Sequence, residues 1–479
     1  MTLLVQKLTH EKNPMRHSIL SISLIVLTLT AVTTAAQAET VPEKLSVADA
    51  VKLALTANVN LKSAKSNQLT ALSRLRVAEL LTSYSVGANT SFERMPGESE
   101  LSNSIFGSLG YENMMGTEAS LNISPFASGN ESSTVDLSIR HPLTRRKGPL
   151  SPKADKVLTA QSEMIIQDKE LYRTQQSTVL DVIRAYFKAI EAREQVKVQE
   201  KALELVEQSA RFAKRREEAG FARGIDVYRA EVQVQQTRER LNSQREAAKA
   251  AIDRLMLAIG VGIGKTPELI DPVPEVNPEV PTLEEAIAQA LKNRVELSVY
   301  DERLATQQRR LAIAKEEFRP GLDIFTRFRS SNADRGVFSS SLFDLGTTTI
   351  GLELRLPLDK RAIKEEQAIV ERELNILNEE RAFQMERIAE EVRSAYRALE
   401  STATSLEILT TNLEVAKQNL HIAERMVEEG EGDNRDVLSA QEALTHAEMG
   451  IISAKIDLYL ATLELKYAMG EDLTKIGSK

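Results

Sequence analysis

The chain contains a copy of itself. Gly220, Asp226 and Gly260 recur as Gly430, Asp436 and Gly470, each 210 residues on. Val182–Tyr186 (V-I-R-A-Y) falls on Val392–Tyr396 (V-R-S-A-Y) at the same offset. Upstream, Val47–Leu61 matches Leu283–Leu297 at an offset of 236. Self-similarity at this length means two like structural units, so any fold must be built from two like halves. The fall in offset is assigned to a longer loop in the first copy, the stretch rich in Gly, Ser and Asn from Pro96 to Asn130.

Each half is dominated by helix. The chain is rich in Ala, Leu, Glu, Gln and Arg and has no Trp, a mixture that favours long helices. Nothing breaks the helical pattern from Ala154 to Ala219 or from Ala362 to Glu429. At ~1.5 Å per residue, each such helix would reach about 100 Å. The apolar spacing alternates three and four. It reads Val182, Ala185, Ala189, Ala192, Val196, Gln199, Leu203, Val206, Ala210, Ala213, and 210 residues later Val392, Ala395, Leu399, Thr402, Leu406, Leu409, Leu413, Ala416, Leu420, Ala423, continuing to Val427. This is a coiled-coil seam, and its alanines let neighbouring helices approach closely. Short turns at Gly220–Ile225 and Gly430–Arg435 return the chain into Asp226–Ile259 and Asp436–Met469. The returning helices are about half as long, and Val47–Leu81 and Leu283–Phe318 supply the missing halves. Gly220 and Gly430 suit a left-handed residue at a helix end. Asp226 and Asp436 are placed to cap the helices that follow.

Between the helices the period changes to two. Val86, Ala88, Thr90 and Phe92 alternate with Ser85, Gly87, Asn89 and Ser91, and Val135, Leu137 and Ile139 with Thr134, Asp136, Ser138 and Arg140. In the second half Leu322, Ile324 and Phe328 alternate with Asp323, Arg327 and Arg329, and Ile350, Leu352 and Leu354 with Thr349, Gly351, Glu353 and Arg355. The pattern predicts four strands, near 84–93, 132–141, 321–330 and 347–357, each apolar on one face and polar on the other. A soluble sheet burying one face has this pattern; so does a transmembrane barrel with lipid outside and water within.

The N-terminus reads as an export signal over residues 1–38. Lys7, Lys12, Arg16 and His17 form the positive region, Ile19–Val32 the apolar segment, and Ala36-Gln37-Ala38 the cleavage site. Met15 offers a second start that leaves a shorter leader. The apolar run falls short of the ~20 residues of a spanning helix. The chain has no cysteine, so its stability must come from packing or assembly. Repeat 1 is assigned to 39–264, a Pro-rich linker to 265–281 and repeat 2 to 282–479, with hairpins at 154–260 and 362–470.

No chemistry is legible. None of the five histidines, His10, His17, His141, His421 and His446, has partners at metal-ligand spacing. Gly260-Val261-Gly262-Ile263-Gly264-Lys265-Thr266 imitates a phosphate loop, but Ile259 stands where the first Gly belongs and the segment ends a helix. There is no nucleophile motif. The net charge of −8 disfavours nucleic acid as a partner. The expectation is a protein with no catalytic residues, no metal and no cofactor.

The combination resembles the TolC-type outer-membrane efflux proteins, over nearly the whole mature chain. The most specific residues are the paired tips, Gly220-Phe-Ala-Arg-Gly-Ile-Asp226-Val227 and Gly430-Glu-Gly-Asp-Asn-Arg-Asp436-Val437. The resemblance implies a homotrimer in the outer membrane of a Gram-negative bacterium. Each chain would give four strands to a twelve-stranded barrel, continued through the periplasm by an α-helical coiled-coil barrel. It implies a passive exit duct, joined through a periplasmic adaptor to an inner-membrane pump. Ala219, Gly220 and Phe221 match the tip that meets the adaptor, with Asp226 beside them. Gly430 matches at the second tip, where Glu431 replaces the usual apolar residue. Asp436 matches a carboxylate of the closed entrance; the usual Arg is displaced to Arg435, Gly432 takes its place, and Ser439 replaces a further acid. The competing expectation is a periplasmic coiled-coil adaptor or scaffold. Such proteins usually carry one hairpin flanked by small β-domains, whereas this chain carries two in register with four two-faced strands.

Overall fold

The computed structural model describes residues 42–95, 98–128, 133–220, 223–262, 264, 266–275, 281–332, 346–429 and 431–474. The expected signal segment, Phe221, Gly430 and part of the Pro-rich linker lie outside these residues.

The described residues form two interleaved helical units, one six-stranded sheet and one two-stranded sheet. Strand β1 (Lys44–Leu45) leads into α1 (Val47–Ala57) and α2 (Val59–Glu79). Strands β2 (Thr82–Met95), β3 (Glu98–Glu112), β4 (Glu118–Ser128) and β5 (Ser133–Pro142) follow. A short 3₁₀ turn, Gly148–Leu150, then starts α3 (Pro152–Glu218), which returns as α4 (Gly224–Ile259). Strand β6 (Glu268–Leu269) precedes the second set: α5 (Leu283–Asn293), α6 (Val295–Glu316), β7 (Gly321–Asn332), β8 (Thr347–Arg355), α7 (Arg361–Glu428) and α8 (Asn434–Ala468).

The long helices start where the sequence supplies an acceptor for orphan N–H groups. Ser151 accepts from the Ala154 N–H at 3.1 Å, with Pro152 in the first helical position. Thr282 and Glu285 form a reciprocal capping box on α5. Along α3 the seam residues Val182, Ala189, Ala192, Gln199, Val206 and Ala213 are buried, and along α7 Val392, Leu399, Ala416, Ala423 and Val427. Burying the three-four stripe is what keeps such long helices folded, because their propensity alone is marginal in water.

Two helices expected to run unbroken are each divided. The segment Val47–Leu81 breaks at Asn58 and Leu283–Phe318 breaks at Arg294, both with extended backbone. Asn58 caps α2 by accepting from Asn60 and Leu61, and its amide donates to the Ala258 carbonyl at 2.8 Å. Arg294 pairs with Glu296 at 2.7 Å and Glu391 at 2.9 Å. Each break receives the glycine ending the returning helix. A Cβ on Gly260 would stand 2.7 Å from the Asn58 Cα, and one on Gly470 would stand 3.0 Å from the Asn293 Cβ. Both glycines have positive φ, at 88° and 74°, so conformation and space both demand Gly.

A largely buried cluster ties this middle zone together. β1 pairs in parallel with β6. The Tyr186 hydroxyl, fully buried beneath them, stands 2.9 Å from the Leu45 carbonyl and 2.5 Å from the Asp271 carboxylate. The same carboxylate accepts the Val47 N–H at 2.8 Å. Burial, then the bond to Asp271, raises the Tyr186 pKa above its ordinary value.

The sheet differs from the sequence reading. The four expected segments fall in β2, β5, β7 and β8, but Pro96–Asn130, expected as a loop, supplies two further strands, β3 and β4. The order is β2-β3-β4-β5-β7-β8, every neighbour antiparallel.

One comparison tests the helix-end geometry. Gly220 also has positive φ, at 82°, but a Cβ there meets nothing within 4 Å. Gly220→Ala should therefore cost only about 1 kcal/mol, the strain of a left-handed alanine. Gly260→Ala should cost roughly 3 kcal/mol, because the added methyl also meets the Asn58 backbone. Denaturant unfolding of both variants checks this; equal losses would contradict the docking of Gly260 into the break.

Candidate functional site

Two regions carry no internal structural necessity and are candidates for function: the hairpin tips and the faces of the sheet.

At the first tip α3 ends on Glu218, and Gly220 turns the chain in the left-handed region, its N–H donating to the Glu217 carbonyl at 2.9 Å. At the second, the N–H of Glu431 donates to the Met426 carbonyl at 2.9 Å, the six-to-one bond of a Schellman ending. Gly432 donates to the same oxygen at 2.8 Å, and a Cβ on it would stand 3.0 Å from that of Met426. Gly432 thus sits in a close approach that a larger side chain would enter only by shifting the end of α7.

The capping expectation is corrected here. The residue capping α4 is Arg223, with no side-chain bond, and the residue capping α8 is Asp433, whose carboxylate accepts from the Arg435 N–H at 3.4 Å. Asp226 and Asp436 sit inside the first turn of their helices. There they face the positive end of the helix dipole, which favours a carboxylate by ~0.3–1 kcal/mol. Asp226 also pairs with Arg229 at 3.6 Å. Arg435 and Asp436 are exposed, and among the described residues neither forms an ion pair. Sequence reasoning missed Asp433, although Gly-Asp-Asn-Arg-Asp offers two acids three apart; the register of the helix start decides between them.

The two tips touch. Ala213, Val227 and Ala230 pack with Ala210 and Leu438 across the hairpins. Arg216 donates to the Val427 carbonyl at 3.2 Å, and Arg240 pairs with Glu442 at 2.6 Å. A groove between α4 and α8 is lined by Ile225, Tyr228, Val232, Arg435, Leu438 and Ser439. The structure thus places Arg435 in this groove and Asp226 beside Arg229.

The sheet has two chemically opposed faces. One carries Tyr84, Val86, Leu109, Leu121, Leu137, Ile139, Ile324, Ile350, Leu352 and Leu354, which align across the strands in register. Among the described residues no element covers it: Tyr84 and Val86 are 85% and 83% exposed. The other face carries hydroxyls, amides and ion pairs, with Phe106 and Phe325 lying over Gly87 and Gly351. Ser85 meets Ser108 at 2.7 Å and Ser120 meets Ser138 at 2.8 Å. Arg140 pairs with Glu353 at 3.1 Å and Arg329 with Asp136 at 2.9 Å. An apolar side open to its surroundings and a polar side lined with charges is the inverse of a soluble sheet on a core. No helix among the described residues is long and apolar enough to cross a membrane.

The sequence profile of the outer membrane efflux protein family matches residues 152–261 and 286–471. The chain belongs to the outer membrane efflux protein family. Similar solved structures include CusC (15% identity, 89% of this chain and 92% of that one, TM-score 0.69), described as undergoing conformational changes accompanying folding and transmembrane channel formation. The Campylobacter jejuni outer membrane channel CmeC covers 90% of this chain and 88% of its own at 16% identity, TM-score 0.67. The open state of the Neisseria gonorrhoeae channel MtrE covers 89% of each chain at 15% identity, TM-score 0.67. No curated protein matches the chain.

The fold is therefore the mainly helical, TolC-type one, with a β domain joined to long hairpins. The protein is an outer-membrane efflux channel, in a family of channels and not of enzymes.

The corrected cap gives a prediction. Asp433→Ala should loosen the first turn of α8 by ~0.5–2 kcal/mol, read as faster amide hydrogen exchange there. Asp436→Ala should change exchange there less; the reverse order would restore Asp436 as the cap.

Proposed function

We propose that three copies close into one water-filled duct, through which substrate leaves the periplasm passively. The observation that carries this is the two-faced sheet with open edges at β2 and β8. Unpaired backbone groups are not tolerated in hydrocarbon, so the edges must meet those of other copies. Because β2 and β8 run in opposite senses, β2 of one copy can continue β8 of the next as an antiparallel pair.

The helices support the same ring. α3 packs on α4 and α2 and also on α8, through Arg184–Glu464 and Lys188–Asp457, both at 2.8 Å. Its duplicate α7 packs on α8, α6 and α5, and keeps an exposed stripe at seven-residue spacing, Ile408, Val415 and Ile422. On α4, Ile225, Tyr228 and Val232 are likewise exposed. The repeat relation points α7 of one copy at α4 of the next, a heterologous contact that closes into a ring. The count of three follows the family resemblance.

In this reading the tips, with Gly220, Phe221, Asp226 and Gly430, meet a periplasmic adaptor, and an inner-membrane pump supplies the energy. Asp436 and Arg435 belong to the entrance. Opening spreads the hairpins and breaks contacts such as Arg216 to Val427.

The protein should be recovered from outer-membrane fractions as a heat-resistant oligomer, and Val415→Glu should abolish most of it by placing a charge in the ring contact. Recovery of the unmodified chain as a soluble periplasmic monomer would refute the duct and favour the scaffold. Asp436→Ala should raise single-channel conductance; an unchanged value would reduce Asp436 to a first-turn acid.

A further inference from the structure

We infer that β3 and β4 are lipid-facing wall, so that each chain contributes six strands to the barrel and not four. Three copies would then close eighteen strands. This rests on the trimeric barrel proposed above, but the added hairpin stands on its own observations.

The first is length. β3 and β4 have 15 and 11 residues, and a tilted strand needs ~9–11 to cross the hydrocarbon layer. The second is register. On the hairpin's apolar face Leu109 lies opposite Tyr84 and Leu121, and Leu121 opposite Leu137. The apolar band of β2 therefore continues through β3 and β4 into β5 with no polar interruption at that level. On the other face Asn89, Ser104, Ser108, Asn122 and Ser138 continue a mainly polar lining, interrupted by Phe106, whose ring lies over Gly87. A hairpin in water has no reason to sort its residues in phase with a membrane strand on either side.

The third is anchorage. The turn between β3 and β4 is pinned at the base of the sheet, where the helices begin. The Ser151 hydroxyl donates to the Met114 carbonyl at 2.9 Å, and the Gly148 N–H to the Met115 carbonyl at 3.3 Å. Gly116, at φ 88°, fits so closely that a Cβ would stand 2.8 Å from the Arg146 carbonyl. The Glu112 N–H donates to the Leu81 carbonyl at 2.8 Å, fixing the end of β3 beside the start of β2. The hairpin thus runs from the helix junction along the full height of β2.

The fourth is the repeat arithmetic. The offset falls from 236 before the strands to 210 after them, so the first copy holds 236 − 210 = 26 extra residues. At ~9–11 residues per crossing strand, this is the length of one added hairpin with its turns.

The added strands widen the bore. A strand tilted by ~40° at ~4.8 Å spacing occupies about 6 Å of circumference, so eighteen strands enclose a barrel about 36 Å across the backbone and twelve about 24 Å. Twelve helical rods packed at ~9–10 Å form a ring of about 36 Å. The wider barrel therefore continues the helical tunnel without a constriction, and it suits bulky solutes.

The chain has no cysteine, so an introduced thiol is unique. Full-length Leu109→Cys, Leu121→Cys and Ile123→Cys variants test the apolar face of the hairpin. Ser108→Cys and Asn122→Cys test its polar face, and Leu352→Cys on β8 is the reference. Each is probed in outer-membrane vesicles with a membrane-impermeant maleimide, after its heat-resistant oligomer is confirmed. We expect Cys at 109, 121 and 123 to label at least about tenfold more slowly than at 108 and 122, and as slowly as at 352, because lipid excludes the reagent. Fast labelling at 109, 121 and 123 with protection at 352 would overturn the six-strand wall and leave a four-strand barrel. Fast labelling at 352 as well would overturn the barrel itself.

Discussion

An amide or carbonyl left without a hydrogen-bond partner in hydrocarbon costs several kcal/mol, and a sheet edge presents a row of them. In this chain that row lies along β2 on one side and β8 on the other. Among the described residues the apolar face between the edges is uncovered, while the opposite face is lined mainly with serine, asparagine and paired charges. Water cannot satisfy the first face and lipid cannot satisfy the second. A closed cylinder in a bilayer satisfies both and removes the edges at once, and in the proposed duct several copies build it. The helices then follow, because a ring of rods is the structure that can continue a ring of strands.

The duplication supplies those rods economically, but the two halves are not used alike. Both break a short helix and nest the glycine of a returning helix into the break, at Gly260 on Asn58 and at Gly470 beside Arg294. The means differ: an asparagine cap in the first half, an arginine with two carboxylates in the second. The long helices differ more. α3 finds the second hairpin beside it within its own chain, whereas α7 keeps an apolar stripe at Ile408, Val415 and Ile422. In the proposed ring, a duplicated chain thus makes one hairpin-to-hairpin contact internally and leaves the equivalent contact to its neighbours.

Much of this was legible in the sequence, for identifiable reasons. The three-four spacing from Val182 to Ala213 and from Val392 to Val427 marked the helical seam, because a long helix has one stripe to bury. Alternation marked the strands carrying Leu137, Phe328 and Leu352, where bulky apolar residues face charged ones. It failed for β3 and β4. Their apolar face holds Leu109, Leu121 and Ile123, but their other face, Phe106 apart, is mostly Ser, Asn and Gly, the residues that announce loops. A wall facing water needs no bulk there, so strand and loop share a composition. The breaks at Asn58 and Arg294 were hidden because neither Pro nor Gly marks them; each is imposed by the glycine docked from a distant helix. At the tips, the glycines were legible, but Asp226 and Asp436 fell inside the first turn, since the start of a helix cannot be fixed to one residue when Asp433 and Asp436 both offer a carboxylate.

The account turns on a continuous water-filled bore, and ion conduction measures that directly. Purified full-length protein, reconstituted into a planar lipid bilayer under voltage, should give discrete, long-lived conductance steps of uniform size. A bilayer that stays silent while the same preparation contains assembled, heat-resistant oligomer would contradict it.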